Sequence, residues 1–139
     1  MPSDTQAAPV SKKMLWAGRI ISAIPVLMLL FSGVMKLVKP AAVVEGFTQL
    51  GYAESVAVGL GILEIACTVV YLIPPTAVLG AILMTGYLGG ATATHVRVSQ
   101  PFFIPVALGV LVWLGLFLRD ERVRALLPLR SAPSAPSAG

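Results

Sequence analysis

The 139-residue chain is 57% hydrophobic and 12% charged, with a mean hydropathy of +0.89, a balance that sets aside an ordinary water-soluble domain and bounds the protein to one small membrane domain. Its net charge of +4 comes from basic residues at the ends of apolar runs rather than from a patch interleaved with aromatics. Lipid headgroups, not nucleic acid, are therefore the expected partner. A lone cysteine, Cys67, and a lone histidine, His95, exclude an intrachain disulfide, a CxxC redox pair and any single-chain bis-histidine haem or multi-histidine metal site.

Residues 1–13 form a polar N-terminal segment ending in Lys12 and Lys13. The apolar run that follows, about 16–37, is longer than a signal-peptide core and lacks a small-x-small cleavage site, so it is expected to stay as the first span. Ser22, Pro25, Leu29, Ser32 and Lys36 recur along it at steps of three and four, which puts them on one face looking into the protein. Pro40 to Tyr52 is too short and too polar to span. Val43, Phe47 and Leu50 in it fall at i, i+4 and i+7, predicting a short amphipathic helix at the interface or over the mouth of the bundle.

The second span is expected over about 55–73, with Ala57, Gly61, Glu64, Thr68 and Tyr71 on one seam. Pro74 and Pro75 force a turn, with Thr76 as N-cap of a third span over about 76–94. In that span Gly86 and Gly90, with Gly89 and Ala93 one face over, strip one side to backbone and predict close helix packing, within the chain or between copies of it. A fourth span over about 102–118 is nearly free of polar groups and is expected to face lipid over much of its circumference. A charged amphipathic segment follows, and the Ser/Ala/Pro tail, 129–139, is expected to be disordered. The fold class is thus all-α: an integral membrane four-helix bundle, domain 14–128, with a short amphipathic helix between the first and second spans. Seven basic residues fall on the side of the termini against three on the other, which places both termini in the cytoplasm of what reads as a bacterial inner membrane.

Glu64 is the sharpest candidate for a site, because an ionised carboxylate near mid-membrane costs at least about 2.5 kcal/mol. Two states follow. In the favoured one the carboxyl is neutral and lines a pocket with Thr85, which the depth reckoning puts level with it; in the other, Lys36 stretches inward to pair with it. His95 and Arg97 end the third span on the Lys36 side and are the remaining candidate binding groups. No residue is assigned a catalytic role, and no metal ligand set is expected.

The segments FSGVMKLVKP, FTQLGY, LGILE, LIPPTAVLGAILMTGYLGGATATHVR and GVLVWLGLFLRDERVRALLPLR together resemble the DoxX-like family of small four-helix membrane proteins, within the wider DoxX/DoxD-like superfamily. The likeness covers roughly Gly18 to Pro128. It carries the family pattern onto Gly33, Lys36, Glu64, Gly86, Gly90, Thr94, His95 and Arg97. The family name comes from subunits associated with quinol oxidase and thiosulfate–quinone oxidoreductase activity, so the resemblance implies a quinone-linked role, with quinone as the one cofactor to consider and a membrane redox protein or a second copy as partner. The sequence carries no flavin, nicotinamide, haem or iron–sulfur signature, which argues against an autonomous redox enzyme. The leading reading is a non-catalytic or accessory subunit. A proton-coupled carrier using Glu64 and an assembly factor using the glycine face are the alternatives.

Overall fold

The computed structural model describes residues 11–126, and within them the chain is all-helical apart from short connections, with helices α1 (Lys12–Val38), α2 (Ala41–Leu50), α3 (Val56–Leu72), α4 (Ala77–Arg97), α5 (Phe103–Arg119) and α6 (Glu121–Leu126). The polar segment up to residue 10 and the tail 129–139 lie outside the described residues. Two helical stretches, Lys12–Val38 and Pro74–Arg97, are long and apolar enough to cross a membrane; α3 and α5 are apolar too but have 17 residues each.

Local chemistry sets the boundaries. The Ser11 hydroxyl accepts from the Met14 N–H and closes the first turn of α1. Pro25 sits inside α1 without ending it. Lys39 stops the helix in the left-handed region, φ 55°, its N–H returning to the Met35 carbonyl. Gly51 does the same for α2 at φ 82°, where the absence of a Cβ removes the steric cost. Between α3 and α4 Pro74–Thr76 forms one 3-10 turn. Thr76 takes the N-cap position of α4, but its hydroxyl donates back to the carbonyls of Val70 and Ile73, so it ties off α3 instead of capping α4.

The four long helices close into a ring: α1 lies against α3 and α5, and α4 lies against the same two. The seams follow the helical period. On α3 the buried residues include Ala57, Gly61, Glu64, Thr68 and Tyr71, and on α1 they include Ser22, Pro25 and Leu29. Val26, Leu29, Met84, Leu88, Leu108, Val112 and Leu116 fill the centre. The outward faces carry Leu27, Phe31, Ile62, Ile82, Phe103 and Val110, all exposed, so large apolar side chains cover the outside as well as the inside. The fourth predicted span divides its faces accordingly, with Leu108, Val112 and Leu116 inward and Phe103, Ile104 and Val110 outward.

Close helix approach occurs at glycines other than those expected. A Cβ added to Gly18 would stand 2.7 Å from the Gly115 carbonyl oxygen, and one on Gly61 would stand 2.8 Å from the Gly33 carbonyl oxygen; at Gly80 it would collide with the Tyr71 backbone. At Gly86, Gly89 and Gly90 it would meet nothing within 4 Å, and Ala93 is exposed. The expectation that this face packs against another helix of the chain is therefore corrected. A four-residue repeat of small side chains only clears a face; the register of the neighbours decides whether it is used, and α4 turns Ala77, Gly80, Ala81, Met84 and Leu88 inward instead.

Candidate functional site

Where the seams of α1, α3 and α4 meet, four polar side chains converge. The Lys36 Nζ donates to Glu64 Oε2 at 2.6 Å and to Ser32 Oγ at 2.6 Å. The Tyr87 hydroxyl donates to the same Oε2 at 3.1 Å, and the Ser32 hydroxyl reaches it at 3.4 Å. Gly61 makes this geometry available. A Cβ there would lie 2.9 Å from the Lys36 Cβ, so the lysine stem crosses α3 at a bare backbone position one turn before Glu64. Glu64 is 2% exposed and Lys36 17%.

The carboxyl is thus paired, where the sequence favoured a neutral one. Lys36 lies beside Gly61 rather than a long reach away, and a buried carboxylate with an ammonium at hydrogen-bond distance keeps its charge compensated. All three donors converge on Oε2, and no donor among the described residues reaches Oε1. The fully enclosed side-chain atoms that lack a partner there are two guanidinium nitrogens of Arg124, so Oε1 keeps contact with open space.

That space is a cavity of about 540 Å³. Lys36, Ser32, Glu64 and Tyr87 form its polar floor, and its walls are apolar, among them Leu29, Leu63, Leu88 and Leu108. Gly86 and Gly90 also line it: within the chain, the bare face of α4 supplies room rather than a contact with another helix. Helix α2 lies over the opening, with Phe47 buried and Leu50 half-buried. Its C-terminal end is held to α4 by the Arg97 guanidinium, whose Nη2 donates to the Leu50 carbonyl at 2.5 Å, and by a 3.0 Å hydrogen bond between the Tyr52 and Thr94 hydroxyls. His95 stands at the same rim with Nδ1 2.7 Å from the Ala91 carbonyl; a carbonyl only accepts, so Nδ1 carries the hydrogen.

Of the residues singled out in the sequence, Glu64, Lys36 and His95 come together in this cavity, and Arg97 holds its cover. Thr85 does not join them. Its hydroxyl donates to the Ala81 carbonyl and accepts from the Trp113 Nε1, both at 2.7 Å, in a separate apolar groove between α4 and α5. Two residues along a helix turn a side chain by about 200°, so Tyr87 occupies the inward position that the depth reckoning gave to Thr85. Tyr87 was legible only as the one hydroxyl-bearing aromatic inside the third span. No group of three or more His, Cys, Asp or Glu side chains comes together among the described residues.

A second polar cluster, also not anticipated, lies toward the opposite end. The Tyr71 hydroxyl is within hydrogen-bond distance of Ser22 Oγ (3.0 Å) and the Val112 carbonyl (2.8 Å). The Arg119 Nε donates to the same Ser22 oxygen at 3.2 Å, with the guanidinium carbon 5.1 Å from the Tyr71 ring centre.

The sequence pattern of the DoxX-like family matches residues 20–117. No curated protein and no solved structure matches the chain. The family match takes in all of α3 and α4, most of α1 and α5 and every residue of the paired floor, and the chain belongs to the DoxX-like family.

Proposed function

We propose that this protein is a four-span membrane subunit that binds an amphiphilic molecule, quinone being the leading candidate, in the cavity beneath α2, and that it serves a membrane redox complex without catalysing a reaction itself. The observation that carries this reading is the cavity: one end polar and charge-balanced, the walls apolar, the outside of the ring apolar as well. A ligand with a polar head and a hydrocarbon body matches that division. In this reading α3 and α5 span the bilayer beside α1 and α4. Both termini then lie in the cytoplasm of a bacterial inner membrane, and the cavity opens toward the other side.

The test is to extract the protein from native membranes in mild detergent and analyse co-purifying lipids, quinones and proteins by mass spectrometry. Quinone retained by the wild type and lost on filling the cavity with Gly90→Leu supports the reading; equal retention by both defeats it. The carrier reading draws on the same floor, since Glu64 is a protonatable group facing open space. Solute-driven proton uptake into vesicles, abolished by Glu64→Gln, would favour it instead.

A further inference from the structure

The open oxygen of Glu64 narrows the ligand class. We infer that the cavity selects a molecule whose head is a hydroxyl, an alcohol or a phenol, over one that ends in an ether, a carbonyl or a carboxylate; of a quinone couple it would then hold the reduced, quinol form. The inference rests on the cavity being a ligand site, as proposed above, and goes on to say what its floor discriminates.

The floor is charge-balanced: one ammonium and one carboxylate at 2.6 Å. Oε2 is saturated by Lys36, Tyr87 and Ser32, and the carboxylate is an acceptor only. What faces the cavity is therefore an unpaired acceptor on a side chain 98% buried, its exposure being 2%. A hydroxyl donates to it and makes a charge-assisted bond in apolar surroundings. The Lys36 ammonium has used two of its three hydrogens, on Glu64 and Ser32. An ether has only lone pairs and confronts Oε1 with a second acceptor. A carboxylate brings a like charge against Glu64, while the opposite charge of Lys36 is already engaged. An amine that is protonated meets the ammonium in turn.

Three probes of one shape separate these cases: octylphenol, its methyl ether and octylbenzoate. Tritiated octylphenol is brought to equilibrium with the full chain in detergent micelles, and the other two compete with it. The expected result is binding of the phenol at least about tenfold tighter than the ether, since a hydrogen bond to a charged partner is worth a factor of this order or more, with the benzoate no better than the ether. In Glu64→Gln the gap between phenol and ether closes, because the amide can turn its NH₂ toward an ether oxygen; in Tyr87→Phe, which leaves Oε1 untouched, it persists. An ether that competes as well as the phenol, or a benzoate that competes better, overturns the inference even if Glu64→Gln does not fold. If quinone displaces all three probes equally well and no preference appears, the cavity reading stands and the hydroxyl preference falls. If neither the probes nor quinone bind, both fall.

Discussion

Replacing Lys36 by Met removes one charge from the floor and little volume. Glu64 would then keep the Tyr87 hydroxyl at 3.1 Å and the Ser32 hydroxyl at 3.4 Å, one ordinary hydrogen bond and one near the limit of the geometry. Breaking a buried pair from one side costs about 3–5 kcal/mol, and the opening of Oε1 to the cavity argues for the lower figure, about 3 kcal/mol. Glu64→Gln should cost less, because the amide oxygen still accepts from Lys36 and Tyr87, although the ammonium loses its counter-charge. The double variant Lys36→Met/Glu64→Gln has no orphaned charge and should fall short of the sum of the two single losses by about 2 kcal/mol. Reversible unfolding in mixed micelles, followed by circular dichroism, measures all four corners of the cycle. A strictly additive cycle, or a Glu64→Gln protein as stable as the wild type, would refute the pairing and restore the neutral carboxyl.

The glycines should divide into two classes in the same assay: Gly61→Ala and Gly80→Ala, each facing another backbone, lose about 2 kcal/mol or more from forced displacement, whereas Gly86→Ala and Gly90→Ala stay level or gain about 0.5–1 kcal/mol from helix propensity. Reporters fused at the two termini should both read as cytoplasmic and a tag inserted after Val98 as external; an external C-terminal reporter would contradict the four-span topology. Arg97→Ala should speed amide hydrogen exchange across α2, whose C-terminal end it holds through the Leu50 carbonyl, while leaving exchange in α3 unchanged.

Helix periodicity explains what could be read in advance. Ala57, Gly61, Glu64, Thr68 and Tyr71 are all buried because small and polar groups on one stripe of an otherwise apolar helix can only face other helices. The amphipathic pattern of Val43, Phe47 and Leu50 likewise located α2. What a single helix cannot show is the azimuth and height of its neighbours. The choice between Thr85 and Tyr87 turned on rotation about α4, and the pairing of Lys36 with Glu64 turned on where α1 lies relative to α3, a matter of one turn. Gly18, Gly33, Gly80 and Gly115 carry the tightest contacts with no spacing in common. Their partners are backbone and side-chain atoms on other helices, and no pattern within one segment encodes them.

The meeting of α1 with α5 bears on the order in which the chain can be completed. Gly18 rests against Gly115 and Arg119, and Ser22 receives the Arg119 guanidinium and stands within hydrogen-bond distance of the Tyr71 hydroxyl, which also reaches the Val112 carbonyl. Among the described helices, the first one made therefore finds its broadest partner only when the last long one has been made. Until then the face of α1 around Gly18 and Ser22 is bare, and a nascent chain that has reached Val98 holds an unfinished ring. The contacts that join α1 to α5 are among the most non-local of the described residues, and their closure should be the late, slow event in assembly. A chain cut before Phe103 would retain the residues of the Lys36–Glu64 floor but lose the helix that holds the far end together.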